Sequence, residues 1–263
     1  MTTRLVLTSS FGNDRNFISY TKCFMQNYAI KTNADFKIVT DNNIEHSIYN
    51  TCTFFMNNVF KCKSSSIGRN NNKAYLLKVL LIMHYLNIYD QVLWLDDTCF
   101  VSKNCDDIFS KSNTPFSVVA YNEGSFHLFE SSHIDKHIIK TLTNFDIDNN
   151  KYINTGVILY NNGLLDILTF ETLIKCHLLF TSPFPHQCFI NFLLQYHNVE
   201  LHFLSEKYNA ILIDCDYDIY GSQKDPSQIS ESILNNCENY IFHVTGFYKN
   251  RLGIIKHISN YFY

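Results

Sequence analysis

The sequence lacks three features that mark large classes of protein. It has no CxxC pair, because its nine cysteines are scattered over 263 residues, and this favours reduced thiols in a cytosol over a disulfide framework. No apolar run reaches the roughly 20 residues of a membrane span, since Lys78, His84 and Asn87 interrupt the longest, from Tyr75 to Tyr89. No basic stripe interleaved with aromatics occurs and the net charge is -3, so no nucleic-acid partner is expected.

The start of the chain and its length bear on location and organisation. Met1 to Ser10 carries one Arg and an apolar run too short for the core of a signal peptide. With reduced cysteines, this predicts a cytoplasmic protein without a membrane span. The chain is long enough to bury a sizeable core, and it shows no internal repeat and no linker-like change in composition. We therefore expect a single domain over residues 1–263.

Apolar periodicity and turn residues predict strands that alternate with helices. Strands are predicted at Arg4–Ser10, Asp35–Thr40, Gln91–Leu95, 116–121, 156–160 and 240–244, and helices at 19–29, 75–87, 131–142, 164–180 and 186–196. No periodic pattern stands out between Tyr49 and Asn72, and 64–73 is expected to be a polar loop. The alternation predicts an α/β fold, a doubly wound Rossmann-like domain whose mainly parallel central sheet is flanked by helices.

The segment VLWLDDTCFV, from Val92 to Val101, is an apolar strand that ends abruptly in Asp96, Asp97 and Thr98. In an open α/β sheet, ligands bind beyond the carboxyl ends of the strands, and two carboxylates there suit a hard cation. The alternative is that the two carboxylates only cap the following turn. The segment therefore predicts either a cation site or a capped turn.

A second polar segment, HVTGFYK, follows the apolar residues 240–242. The imidazole of His243 suits Mn²⁺ or a similar ion, Gly246 allows close approach of the backbone to a phosphate, and Lys249 offers a positive charge to a diphosphate. The alternative is a structural histidine at a strand end. The segment is thus a candidate for binding a metal ion and a diphosphate.

Taken in order with two more segments, these motifs resemble glycosyltransferase family 8, which includes glycogenin and bacterial lipopolysaccharide galactosyl- and glucosyltransferases. VLWLDDTCFV is similar to the strand that carries the family's DxD motif, and HVTGFYK matches its HxxGxxK signature. Tyr152 to Tyr160 (YINTGVILY) is similar to the family's NxGV strand, and Pro185 to Asn191 (PHQCFIN) to its DQxxxN segment. The resemblance extends from the first strand to Lys249.

The resemblance implies a GT-A fold, with a nucleotide-binding half over about 1–105 and a half for sugar and acceptor over about 106–263. It also implies a retaining glycosyltransferase that uses Mn²⁺ or Mg²⁺ and moves a hexose from a UDP-sugar to an acceptor hydroxyl. A glycan, a protein or a lipid-linked sugar remains open as acceptor. A homodimer remains open as well.

The family's roles carry over to matching positions. The implied metal ligands are Asp96, Thr98 and His243, and the implied catalytic residues are Gln187, Asn154 and Lys249. The implied contacts to the nucleotide and diphosphate are Thr8, Ser9, Ser10, Phe11 or Asn13, Lys78, Asp96, Asp97, Gly246 and Lys249. For Lys78 the alternative is a solvent-facing lysine on an amphipathic helix, and for Asn154 and Gln187 it is to satisfy buried backbone groups.

Two positions depart from the family pattern. Thr98 stands where the second Asp of the DxD motif, the main metal ligand, is expected, so weak metal binding is predicted. His186 replaces the Asp expected before Gln187, so the sugar cannot be inferred from relatives. A protein of this fold that binds nucleotide sugars without catalysis is therefore the alternative. Haloacid-dehalogenase-like phosphatases are a further rival, but the second Asp of their DxDx[TV] motif is also absent here.

Overall fold

The computed structural model describes residues 2–11, 17–60, 72–112, 114–123, 130–212, 240–244 and 251–262. The strands are β1 (Arg4–Ser10), β2 (Asp35–Thr40), β3 (Gln91–Leu95), β4 (Cys99–Val101), β5 (Ser117–Asn122), β6 (Ile153–Asn161), β7 (Glu200–Leu204), β8 (Ala210–Leu212) and β9 (Ile241–Val244). The helices are α1 (Ile18–Lys31), α2 (His46–Asn58), α3 (Asn72–Leu86), α4 (Glu130–Thr143), α5 (Phe170–Lys175), α6 (Pro185–Tyr196) and α7 (Arg251–Phe262).

The main sheet has six strands in the order β2-β1-β3-β6-β5-β7. The pairs β1–β2, β1–β3 and β5–β7 are parallel, whereas β6 is antiparallel to both β3 and β5. Five strands thus run in one direction, which confirms the predicted mainly parallel α/β sheet. Because β6 runs the other way, its first residues lie at the edge where β1, β3 and β5 end.

A second sheet of three strands, β4-β9-β8, adjoins the same edge. Strand β4 follows β3 after a tight turn, in which the amide of Cys99 donates to the carbonyl of Asp96 at 2.9 Å. Strand β9 pairs antiparallel with β4, with Cys99 opposite His243, and parallel with β8. The small sheet therefore brings His243 next to the end of β3.

Both faces of the main sheet are covered, which explains why β3 is apolar on both sides of its pleat. Val92 and Trp94 pack in one cluster with α2, α3 and α6, and Leu93 and Leu95 pack in another with α1 and β4. All five residues of β3 are buried. The strand that ends at Asp96 is thus fixed from both sides.

The structure adds β4, β7, β8 and α7, which were not predicted, and it differs from the prediction in two further regions. Helix α2 occupies part of the stretch where no pattern was predicted, and it buries Ile48, Cys52 and Phe55 at helical spacing between polar residues that obscure it. The predicted helix 164–180 is broken into α5 and short 3₁₀ segments, because Thr169 caps α5 by accepting from the amide of Thr172. Among the described residues, no helix is long and apolar enough to span a membrane.

Candidate functional site

Asp96 lies at the end of β3, where its carboxylate is held on one side and open on the other. Lys78 Nζ donates to Asp96 Oδ1 at 2.8 Å, and the indole N–H of Trp94 donates to the same oxygen at 2.7 Å. The second oxygen, Oδ2, lies 3.5 Å from Nε2 of His243. The side chain of Asp96 is 35% exposed, so a ligand in the crevice can reach the carboxylate.

Lys78 is buried in helix α3, and the solvent-facing alternative is wrong. Its ammonium contacts the carbonyl of Thr155 at 2.8 Å as well as Asp96, and it lies 4.7 Å from the centre of the Trp94 ring. Burial lowers the pKa of Lys78, and the Asp96 carboxylate partly offsets this. Burial alone would raise the pKa of Asp96, but Lys78 and His243 outweigh burial and hold it well below its usual range.

His243 is held in one orientation by a chain of three polar groups. The amide of Gly156 donates to Asn154 Oδ1 at 2.9 Å, and Asn209 Nδ2 donates to the same oxygen at 3.0 Å. Asn209 Oδ1 therefore faces Nδ1 of His243, at 3.0 Å, and accepts its proton. Nε2 faces Asp96: in the protonated ring it donates toward the carboxylate, and in the neutral ring it carries the lone pair.

Gly156 is required by the packing of His243. A Cβ at position 156 would lie 1.9 Å from Cε1 of the imidazole, far inside van der Waals contact. Gly156 also binds the end of β3, because its carbonyl accepts from the amide of Asp96 at 2.8 Å. The glycine of the NTGV segment thus makes room for the histidine of the HVTGFYK segment.

Asp97 is turned away from Asp96, toward the end of β1. Its carboxylate accepts from the hydroxyl of Ser10 at 3.1 Å, and its backbone carbonyl accepts from the hydroxyl of Thr21 at 2.7 Å. Thr98 is fully buried, and its carbonyl accepts from the amide of Val244 at 3.3 Å. The turn after β3 thus ties the ends of β1, β3 and β9 together.

A second polar cluster, the Glu123 cluster, consists of Glu123, Asn154 and Gln187. All three are buried. Asn154 Nδ2 and Gln187 Nε2 both donate to Glu123 Oε2 at 3.0 Å. Gln187 Oε1 accepts from the amide of Thr155 at 3.3 Å. The side-chain amides of Asn154 and Gln187, two of the implied catalytic residues, are thus brought together around one carboxylate, and each also satisfies a buried backbone amide.

A buried dyad, Asp135 and Tyr152, lies behind the Glu123 cluster. The Tyr152 hydroxyl donates to Asp135 Oδ2 at 2.6 Å and accepts from Gln187 Nε2 at 3.1 Å. The hydroxyl of Ser182 donates to the other oxygen of Asp135. Burial raises the pKa of Asp135 to about 6, against the lowering effect of these two hydroxyl donors.

His186 is buried next to the two clusters and is neutral. Its Nδ1 lies 3.0 Å from the hydroxyl of Thr155, and Nε2 has no hydrogen-bond partner among the described residues. Burial, and then the nearby Lys78 charge, lower its pKa well below the usual value. A neutral ring therefore stands where the resembling family has a carboxylate.

Of the remaining predicted site residues, the structure describes some and not others. Ser9 and Phe11 are partly exposed at the end of β1, and Phe11 packs against the main core. Thr8 is fully buried, and its hydroxyl has no hydrogen-bond partner among the described residues, so it cannot contact a ligand in this conformation. Asn13, Gly246 and Lys249 lie outside the described residues.

Several residues of the site were not predicted from the sequence. Glu123 directly follows β5, so the rule that drew attention to Asp96 applies to it equally. Tyr152 lies inside a motif but was not singled out. Asn209 precedes a strand of only three residues, and Asp135 lies on a helix, so neither carries a local signal of function.

Several solved structures are similar to this chain over nearly its whole length. The chain matches a glycosyltransferase involved in the glycosylation of the major capsid of PBCV-1, with a TM-score of 0.55, 12% identity and coverage of 98% of this chain and 99% of the other. It also matches the galactosyltransferase LgtC in complex with donor and acceptor sugar analogs, with a TM-score of 0.54, 10% identity and coverage of 98% and 95%. The chain has the GT-A fold.

A third match agrees with these two. Mouse xyloside xylosyltransferase 1 gives a TM-score of 0.54 at 11% identity, over 92% of this chain and 98% of the other. No protein-family model and no curated protein sequence matches this chain. At these identities the likeness shows the fold, and the roles of individual residues in this GT-A chain remain predictions.

The raised pKa of Asp135 predicts a pH-dependent stability. The folded state binds this proton up to about pH 6, whereas the unfolded state releases it near the ordinary value of 3.8. The free energy of unfolding should therefore fall as the pH rises between these values, by about 2 kcal/mol from pH 4.5 to 7 for this one group. Urea unfolding of the wild type and of Asp135→Asn at both pH values measures it. An equal difference between the two proteins at both pH values would contradict the prediction.

Proposed function

We propose that the protein is a glycosyltransferase that moves a hexose from a UDP-sugar to an acceptor hydroxyl, with retention of the anomeric configuration. One observation carries the proposal: the partly exposed Asp96, the buried His243 beside it and the buried Glu123 cluster lie on the same edge of the sheet, where its parallel strands end. In a GT-A fold, this edge is where a donor would bind. The order of the four family-8-like motifs supports the same assignment.

The residues of this edge fit a divalent cation with few protein ligands. Asp96 Oδ2 and His243 Nε2, 3.5 Å apart, are two ligand atoms facing each other, and Asn209 fixes the tautomer that a metal-binding imidazole needs. Thr98, the third implied ligand, is neutral and fully buried. We therefore propose that Asp96 and His243 hold Mn²⁺ or Mg²⁺ and that diphosphate oxygens complete its coordination. A bound cation would place positive charge against the leaving diphosphate.

The chain's own groups have distinct tasks in the proposed reaction. The bond between the anomeric carbon and the β-phosphate oxygen breaks, the acceptor oxygen bonds to that carbon, and the hydroxyl proton is released. Lys78 keeps Asp96 ionised, and Gln187 and Asn154 orient the sugar. Lys249, beyond the described residues, would face the negative charge that develops on the diphosphate.

A second candidate function has its own support. Thr98 and His186 are neutral at the two positions where the resembling family has carboxylates, so the site has less negative charge than an active family member. A GT-A protein that binds UDP-sugars without turning them over would have such a site. The two candidates share donor binding and differ in UDP release.

Titration calorimetry with UDP and Mn²⁺ tests the shared part of the proposal. Mn²⁺ alone should bind weakly, because a carboxylate and an imidazole compensate poorly for the loss of water, whereas Mn²⁺ and UDP together should bind tightly. A control with Asp96→Asn should lose this cooperative binding. Absence of UDP binding in the presence of Mn²⁺ would refute the donor assignment. UDP release from UDP-hexoses then separates the transferase from the binding protein.

A further inference from the structure

The carboxamide of Gln187 has both of its amide protons engaged. One is donated to Glu123 Oε2 at 3.0 Å and the other to the hydroxyl oxygen of Tyr152 at 3.1 Å. The carbonyl oxygen, Oε1, accepts one long bond of 3.3 Å from the amide of Thr155. An amide nitrogen only donates and an amide oxygen only accepts. A flipped carboxamide would therefore set its oxygen against the Glu123 carboxylate and its NH₂ against the Thr155 N–H.

The hydroxyl of Tyr152 decides which way this amide points, because a hydroxyl can either donate or accept. If its proton pointed at Gln187, it would favour the flipped carboxamide. The proton is directed elsewhere, since Asp135 Oδ2 lies 2.6 Å away and accepts it. Ser182 donates to the other oxygen of Asp135. Asp135 therefore makes Tyr152 an acceptor toward Gln187.

We propose that Asp135 and Tyr152 are positioning residues, which fix the Gln187 carboxamide so that its carbonyl oxygen is presented to the donor sugar. The inference rests on the proposed function, in which Gln187 contacts the sugar. Neither residue of the dyad contacts the substrate itself. The dyad acts through one hydrogen bond on one side chain, and this makes its role separable from a general contribution to packing.

The burial of the dyad gives the hydrogen bonds their directing effect. Tyr152 and Asp135 have 0% relative exposure, so no water competes for the Tyr152 hydroxyl. In a buried site without water, two donors or two acceptors that face each other raise the free energy of the folded state. The wrong orientation of Gln187 would create two mismatches, at Glu123 and at Thr155, and a third at Tyr152.

Tyr152→Phe tests the proposal, because it keeps the ring and removes only the hydroxyl. The release of UDP from UDP-glucose and UDP-galactose should slow by on the order of 10-fold to 100-fold, since a misplaced group costs rate rather than nucleotide binding. UDP affinity in the presence of Mn²⁺, measured by calorimetry, should stay unchanged. In a Gln187→Ala background, Tyr152→Phe should have no further effect, because the residue through which it acts is gone.

Tyr160→Phe is a matched control on β6, the strand that begins directly after Tyr152. Tyr160 is also buried, and its hydroxyl has no hydrogen-bond partner among the described residues, so its removal should leave turnover unchanged. Asp135→Asn is a second variant for the case that Tyr152→Phe does not fold. It keeps the shape of the side chain but accepts through only one oxygen, and it should turn over more slowly while remaining as stable as the wild type at pH 7.

The outcomes separate the two proposals. If the wild type turns over UDP-sugars, and Tyr152→Phe and Asp135→Asn do so at the same rate, the positioning role is overturned and the proposed function stays intact. The positioning role is also overturned if Tyr152→Phe slows the Gln187→Ala enzyme as much as it slows the wild type. Normal UDP binding without any turnover by the wild type would instead overturn the proposed transferase, and the positioning role with it.

Discussion

Replacing Lys78 with Met should destabilise the protein and nearly abolish turnover. The substitution keeps the apolar stem of the side chain but leaves Asp96 ionised without its cation, with only the Trp94 N–H on Oδ1. Breaking a buried ion pair costs about 3 to 5 kcal/mol. Because Asp96 is 35% exposed and water can partly replace the lysine, we expect a smaller loss, about 2 to 3 kcal/mol. The free energy of unfolding in urea measures this loss.

The effect of Lys78→Met on activity should be larger still. Without the ammonium, the carboxylate of Asp96 loses a fixed position, and turnover should fall on the order of 10²-fold to 10³-fold, as when one preorganised charge is removed. Lys73→Met is a matched control on the same helix, because Lys73 lies over the exposed ring of Tyr49, 4.0 Å from its centre, and should cost less than about 1 kcal/mol.

A double variant separates charge from packing at this position. Lys78→Met combined with Asp96→Asn should recover most of the lost stability, because no unpaired charge is left, and should stay inactive. If Lys78→Met is as stable and as active as the wild type, the ion pair has no role in folding or function.

Gly156→Ala should disrupt the site through a steric clash. The new methyl group would lie 1.9 Å from Cε1 and 2.5 Å from Nδ1 of His243, so the ring has to leave its place and lose its contacts with Asn209 and Asp96. Overpacking of this kind costs about 1 to 3 kcal/mol. The affinity for Mn²⁺ in the presence of UDP should fall by on the order of 10-fold to 100-fold, because the displaced His243 loses the hydrogen bond to Asn209 that orients it as a metal ligand.

A double-mutant cycle with His243→Ala shows whether the clash is the cause. In the His243→Ala protein the imidazole is absent, so Gly156→Ala should cost little further stability. The two changes should therefore be strongly non-additive. Equal losses in both backgrounds would mean that Gly156 matters for its backbone and not for the space it leaves to His243.

The sequence was sufficient for the parts of the fold whose signals are local. Strand β3 is apolar on both faces and is followed by two carboxylates, so both its burial and a candidate site at its end could be predicted. The direction of β6 could not, because side chains alternate with a period of two in either direction. Whether Lys78 is buried or faces solvent could not be predicted either, because a lone lysine in an apolar helix can bury its charge only if another element provides a partner.

The same limit applies to the site. Asp96, His243, Asn154 and Gln187 belong to short motifs, and the structure brings all four to one edge of the sheet. Two residues behind them belong to no motif: Asn209, which contacts His243, and Asp135, which contacts Tyr152, are recognisable only by what lies opposite them in space. Glu123 follows β5 directly and could have been predicted by the strand-end rule, but it lies in none of the four motifs.

The small sheet has a consequence for the order of folding. Strand β9, which carries His243, pairs with β4 from the other half of the chain, and closing so long a loop costs entropy before any contact is gained. The pairs within β1, β2 and β3 span shorter stretches and can form first. Asp96 and Lys78 can thus meet early, whereas the imidazole arrives only when β9 docks. We therefore expect this edge of the sheet to bind a ligand only late in folding, once β9 from the second half of the chain has paired with β4 from the first half.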